Sequence, residues 1–266
     1  MLFDIVIPIG PSDVKNIHIQ LSFTMKNVVG YNNIYLVISP RLLYENEMLR
    51  EMLKNPRIKI VDEGLFPFTK EDVKTYHGQT NRLGWYFQQL LKLYAGKVIP
   101  GILDKYLVVD SDVYFLKPIN FIDDTDVNNI ICLYGYGDEY HPNYFGHMNR
   151  MHPSLCRMIP DKSGICHHMM FDKNYVEKMM NLCSSYHNGQ EFWRFFLAYV
   201  DMVSYHHSGA SEYEMYFNFM LKHHPEKIRL RYLKWKNEEN YKSVINGEIP
   251  NDYDYDYISI VWFAKD

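Results

Sequence analysis

The stretch Tyr106-Leu107-Val108-Val109-Asp110-Ser111-Asp112-Val113-Tyr114-Phe115-Leu116 decides how the chain is read. A β-rich apolar run ends in two aspartates, then resumes with apolar residues before Lys117-Pro118. Carboxylates do not belong inside a buried strand, so Asp110 and Asp112 are expected at its carboxyl end, where a sheet opens to ligand. Two aspartates placed there repel each other unless a cation lies between them. Mg²⁺ or Mn²⁺ held by one or two carboxylates keeps positions for substrate phosphate oxygens, the arrangement that stabilises a phosphate-bearing leaving group. The bland alternative is an Asx-type turn in which Asp110 and Asp112 bond only backbone amides.

Upstream, strand-like and helix-like segments alternate. LFDIVIPI is followed by an amphipathic stretch from Asp13 to Val28, then IYLVIS, then Arg41 to Leu53, then RIKIVD. Short, continuously apolar strands separated by helices imply an α/β chain with a mostly parallel sheet covered on both faces. Ligands of such sheets sit beyond the carboxyl ends of the strands. The loop Pro8-Ile9-Gly10-Pro11-Ser12 is thereby placed for a nucleotide, with Pro8 and Gly10 as donor-binding candidates. Pro-Ser-Asp equally reads as a helix start capped by Ser12 or Asp13.

After the turn-rich segment Glu63 to Gln79, a helix is expected from Arg82 to Ala95, with Gly96 as its C-cap. At 100° per residue Leu83, Phe87, Leu90 and Tyr94 form an apolar stripe. Arg82, Trp85, Gln89 and Lys92 share another side, where they either meet solvent or hold donor phosphates and ribose. Arg82 leads that set, because its planar fork pairs phosphate bidentately. Beyond the aspartates the alternation loosens into a strand NIICLY, a loop from Gly135 to Met148, GICHHMMF, two helical stretches, and late strands near IRLRYL and YISIVWF. The Tyr/Asp alternation near residue 252 reads as a surface turn. The chain is expected to form one domain over 1–266, with a nucleotide-binding half over about 1–116 and an acceptor half over about 117–266.

Composition narrows the function. The 266 residues are 47% hydrophobic and 23% charged with net charge −4, which excludes a disordered or fibrous chain and lacks the basic footprint of a nucleic-acid binder. No apolar run reaches the roughly 18–20 residues of a membrane span, and Asp4 stands where a signal peptide carries basic residues. Cys132, Cys156, Cys166 and Cys183 are scattered without C-x-x-C spacing and read as reduced core thiols. A soluble, cytoplasmic protein is expected, in the host cytoplasm if the source is viral. The 16% aromatic content, including 23 Tyr, suits a cleft for polar ring compounds.

The order of a VIPIG strand, a nucleotide-binding half and the aspartates of VVDSDVYFL resembles the GT-A class of metal-dependent nucleotide-sugar glycosyltransferases. RLGWYFQQLLKL, GICHHMMFDKNY and SEYEMY further resemble a sparsely characterised family read as glycosyltransferases in bacteria and large DNA viruses. The resemblance implies that Asp112 coordinates the metal bridging the donor diphosphate. Asp110 would bind ribose hydroxyls and approach the metal, with Ser111 lining the same turn. GICHHMMFDKNY falls where the class meets donor sugar and acceptor. An imidazole there can ligate metal or bond sugar hydroxyls. Adjacent strand residues point to opposite faces, so one of His167 and His168 should face the cleft. His168 is favoured, and it competes with His206 as a third metal ligand.

Glu212 and Glu214 follow the candidate N-cap Ser211, where acids are favoured by the helix dipole alone. In related folds an acid at this helix start serves as base toward the acceptor hydroxyl or contacts the donor sugar. Glu214 is the first choice here. The class implies transfer from a nucleoside diphosphate-sugar, a UDP-sugar by class frequency, to a hydroxyl on a glycan or protein. A nucleotidyltransferase of similar half-fold and a non-catalytic carbohydrate- or nucleotide-binding domain are the alternatives. The first lacks support from a glycine-rich phosphate loop, since the turn reads Gly10-Pro11-Ser12-Asp13.

Overall fold

A computed structural model describes residues 2–126, 129–239 and 254–260. At its centre lies a five-stranded sheet of β1 (Phe3–Pro8), β2 (Tyr31–Ile38), β3 (Ile58–Asp62), β4 (Lys105–Val109) and β5 (His168–Asp172). The spatial order is β5-β4-β1-β2-β3, with the first four in chain order mutually parallel and β5 antiparallel to β4. Every residue of β1 and β5 is buried, which is why these strands read as unbroken apolar runs. Asp4 is the polar exception inside β1. Its Oδ1 accepts the Asn33 amide at 2.9 Å and its Oδ2 accepts the Leu103 amide at 2.8 Å, so its burial is compensated.

The chain leaves β1 toward β2 on one side and later returns to β4 on the other. Strand order therefore reverses between β1 and β4, and a crevice opens at their carboxyl ends. Loop 8–13 and turn 110–112 both border that crevice. A second, smaller sheet closes over it: Val113–Phe115 pairs antiparallel with Tyr257–Ile260, which runs parallel to Trp235–Glu238. The Ile260 amide donates to the Asp112 carbonyl at 3.0 Å, so the late chain is tied directly to the aspartate turn.

Several boundaries depart from expectation for local physical reasons. Residues 11–16 form turns, and the first helix, Ile17–Asn27, starts after Asn16 without a side-chain cap from Ser12 or Asp13. The stretch expected as one helix from Arg41 to Leu53 splits into Pro40–Glu45 and Glu47–Met52. Asn46 is extended and accepts the Leu49 amide at 2.7 Å, which ends one helix and caps the next. The expected loop from Gly135 to Met148 contains most of a helix, Pro142–Met151, with proline in its first turn, where a missing N–H costs nothing. Only Tyr257–Ile260 of the last expected strand falls within the described residues, and the Tyr/Asp alternation lies partly outside them. Cys132, Cys166 and Cys183 are buried and unpaired as expected, whereas Cys156 is exposed. No described helix is long and apolar enough to cross a membrane.

Gly96 is not a cap. The helix Leu83–Val98 continues through it, and a Cβ at that position would lie 2.7 Å from Cβ of Lys173 and 3.0 Å from the Tyr106 ring. Glycine is needed there for close approach of the helix to β4 and to the helix Lys173–Tyr186. Gly96→Ala is expected to lower unfolding free energy by about 1–3 kcal/mol through overpacking, outweighing the better helix propensity of alanine. Urea denaturation would show it as a fall in midpoint at unchanged m-value.

Candidate active site

The crevice between β1 and β4 holds a cleft of about 500 Å³. Pro8, Gly10 and Asp13 line it from the first loop, Asp110, Ser111 and Asp112 from the turn after β4, Trp85 from the Leu83–Val98 helix and Arg82 from the residue just before that helix. His167 reaches it from the residue preceding β5. Most of the donor-side residues expected from sequence are thus brought together by the strand reversal. The Ser111 hydroxyl donates to Asp13 Oδ2 at 2.8 Å, fastening the aspartate turn to the first loop.

Asp110 is held from three directions. Its Oδ1 accepts the Lys92 ammonium at 2.5 Å and the Tyr213 hydroxyl at 2.8 Å, while its Oδ2 lies 3.4 Å from His167 Nδ1. Lys92 is 2% exposed and also contacts Glu212 Oε1 at 2.6 Å, so one buried cation bridges two carboxylates. Burial alone would discharge Lys92, yet Asp110 and Glu212 outweigh it and hold its pKa above the ordinary lysine value. Asp110 shows the complementary effect: burial opposes its charge, but Lys92 and His167 keep its carboxyl well below the usual range. Glu212 is pushed upward by burial against the pull of Lys92, and Asp110 adds repulsion. Its amide is met by Gln89 Oε1 at 3.2 Å.

The two histidines divide differently from the expectation. His167 has φ of 60°, a left-handed backbone that side chains other than glycine adopt rarely and mostly at functional sites. That kink turns His167 into the cleft and delivers His168 to the other face of β5. His168 is 1% exposed, packed edge-on against Phe115, Phe121 and Tyr257, and burial depresses its pKa to about 3. His167 therefore lines the cleft in place of the favoured His168, and His206 does not line it either.

Glu214 is also relocated. It is wholly buried, and its Oε2 accepts the Ser163 hydroxyl at 2.7 Å and the Gly164 amide at 2.9 Å, while Asn218 donates to its Oε1 at 3.1 Å. It clamps loop 163–164 instead of facing the cleft. Glu212 is locked to Lys92, and Gln89 supports the helix Glu212–His223 from beneath, so neither contacts the cleft as a donor or acceptor group. Sequence reasoning weighed Lys92 only as a donor-phosphate candidate behind Arg82, and it passed over Tyr213, Lys70 and Asp13 as site residues. Lys92 carried a signal, being the only charge in the otherwise apolar LLKLYA of a helix buried almost all round.

The residues available to a divalent cation are Asp110, Asp112 and His167. His167 Nε2 is buried and has no hydrogen-bond partner, which leaves one nitrogen unused on a ring whose Nδ1 lies against Asp110. Among the described residues no three His, Cys, Asp or Glu side chains form a self-sufficient cage. Mg²⁺ and Mn²⁺ do not require one, since one or two carboxylates hold them while substrate phosphates and water complete the shell. The donor set therefore fits such an ion. Across the cleft, Lys70 pairs with Glu63 at 3.2 Å, and the Arg82 guanidinium lies over Trp85 at 5.4 Å from the ring centre.

The fold is of the GT-A type, a mixed α/β chain with a mostly parallel central sheet. Among solved structures, mouse xyloside xylosyltransferase 1 in its apo form matches at 14% identity, with 97% of each chain covered and a TM-score of 0.50. The galactosyltransferase LgtC with donor and acceptor sugar analogues matches at 11% identity and TM-score 0.46, over 97% of this chain and 87% of that one. An active-site mutant of LgtC matches at 12% and 0.49, over 99% and 93%. No curated protein matches the sequence. The chain belongs to a family of unknown function (DUF6492), whose profile matches residues 21–247.

Proposed function

We propose that the protein transfers a sugar from a nucleoside diphosphate donor to a hydroxyl acceptor with the help of Mn²⁺ or Mg²⁺, and that uridine is the donor base. The observation that supports this reading best is the meeting of loop 8–13 and turn 110–112 in one cleft that also carries Arg82 and Lys70. Loop 8–13 takes the nucleoside, Arg82 and Lys70 face its phosphates, and Asp110, fixed by Lys92 and Tyr213, accepts hydrogen bonds from donor hydroxyls through Oδ2. Asp112 and His167 would hold the cation. When bound, that cation offsets charge gathering on the leaving diphosphate.

In the transfer, an acceptor oxygen bonds the anomeric carbon as the bond from that carbon to the diphosphate breaks, and the electron pair leaves with the nucleoside diphosphate. Glu214 is sealed and Glu212 is paired, so the hydroxyl proton passes to a group inside the cleft, either a carboxylate there or a phosphate oxygen of the leaving group.

A thermal-shift panel of uridine, guanosine, adenosine and cytidine diphosphates, with and without Mn²⁺, tests the donor site. A ligand at about 100 times its dissociation constant adds about 2.7 kcal/mol of stability, which such a scan resolves. A manganese-dependent shift with the uridine compound, absent in Asp112→Ala, is the expected result. No shift with any diphosphate would overturn the reading. Release of nucleoside diphosphate from a nucleotide sugar, instead of pyrophosphate from a triphosphate, separates sugar transfer from nucleotidyl transfer.

A further inference from the structure

A second pocket, of about 390 Å³, opens beside the donor cleft and shares Asn237 with it. The two are also joined through Trp235, which lines the second pocket and packs edge-on against His167 at 5.1 Å. Trp235 is fixed by stacking on Tyr257, with ring centres 5.5 Å apart and planes 8° from parallel. Tyr136 and Tyr232 form another wall with ring centres 5.9 Å apart, and Tyr232 is left 60% exposed at the rim.

The frame of this pocket is rigid. Gly137 exchanges two backbone hydrogen bonds with Ser163, both 2.9 Å, and the Ser163–Gly164 corner is the one clamped by buried Glu214. A Cβ on Gly137 would come within 3.1 Å of the Ile165 carbonyl, so the bare backbone is what lets the strands approach. Asp138, Glu139 and Asp161 supply carboxylates. The lysines are already engaged, Lys162 with Asp161 at 3.4 Å and Lys236 with Glu238 at 2.8 Å.

Aromatic faces beside carboxylates match a sugar ring on both counts. Its C–H face stacks on an amphipathic ring, and its hydroxyls donate to carboxylate oxygens. Glu139 is met by His141 at 2.8 Å and Asp161 by Lys162, but three carboxylates against two lysines in the lining still disfavour an anionic sugar. We infer that this pocket is the acceptor subsite and that the acceptor is an uncharged saccharide stacked on Tyr232 and Tyr136, hydrogen-bonded to Asp138, with one hydroxyl directed past Asn237 toward the donor. The inference rests on the sugar-transfer reading above for the word acceptor, and on the pocket alone for the word saccharide.

The test is a panel of immobilised neutral, amino and acidic oligosaccharides, probed with the full chain in the presence of UDP and Mn²⁺, together with the UDP thermal shift of each variant. Wild type is expected to retain neutral oligosaccharides and not acidic ones. Tyr232→Ala and Asp138→Asn, at exposed positions outside the donor cleft, are expected to weaken retention roughly tenfold while keeping the UDP shift of wild type. Retention of no saccharide by wild type, or equal retention by wild type and Tyr232→Ala, overturns the saccharide subsite and leaves the donor reading standing if the UDP shift persists. Retention that depends on Tyr232 without any UDP shift keeps the saccharide pocket and overturns sugar transfer.

Discussion

Asp112→Ala is expected to lower turnover about a thousandfold while costing less stability than Asp110→Asn. The separation of the two effects follows from how the residue is attached. Asp112 is tied to the late strand by its backbone carbonyl, which accepts the Ile260 amide, and that bond survives loss of the side chain. Asp110 stands differently, because its carboxylate is the partner of Lys92 and Tyr213. Asp110→Asn should cost both stability and turnover, by withdrawing the charge that compensates a buried ammonium. Initial rates of nucleoside diphosphate release, set beside urea denaturation of the same preparations, measure both quantities. Comparable loss of stability in the two variants would refute this division of labour.

Lys92→Met is expected to cost about 3–5 kcal/mol of stability, the scale set by stripping one partner from a buried ion pair. Two carboxylates, Asp110 and Glu212, would then face each other without a cation. The loss should depend on pH with a definite sign. Without Lys92 the folded-state pKa values of the two acids rise above their unfolded values. The folded variant then binds more protons than the unfolded chain between those limits, and its stability falls as pH rises through that window. The deficit against wild type should be smaller at pH 5 than at pH 8. Adding Glu212→Gln should recover part of it, and a double-mutant cycle measures the coupling. A pH-independent deficit, or perfect additivity, would show that Lys92 contributes packing alone.

How much of this was legible in the sequence follows from the range of the forces involved. The strands FDIVIP and KYLVV could be read because burial on both faces makes a parallel strand continuously apolar, and the aspartates could be placed because acids terminate such a run. That loop 8–13 and turn 110–112 adjoin needed only the ordering rule for doubly wound sheets. His167 and His168 could not be assigned, because a single left-handed residue decides which of them faces the cleft, and tertiary packing selects that kink. Glu214 looked like a cleft acid for a related reason. An acid in the first turn of a helix has the same local sequence whether it meets substrate or clamps a loop fifty residues upstream. Lys92 was visible as an anomaly, a charge among apolar neighbours, but its partner Glu212 lies 120 residues away. Gly96 was read as a stop because glycine often ends helices, whereas here two other elements claim its missing side chain.

The small sheet that ties Ile260 to Asp112 bears on how the chain reaches this state. Pro8 and Ser259 line the same cleft, so its walls are contributed by nearly the first and nearly the last of the described residues. The N-terminal strands pair among themselves, whereas the segment after the aspartate turn takes its partner strand from Tyr257–Ile260, more than 140 residues on. Completion of the site therefore depends on a contact of very high sequence separation, the kind whose loop-closure cost slows folding. A chain lacking Tyr257–Ile260 would keep the strands of its central sheet yet miss one wall of its cleft.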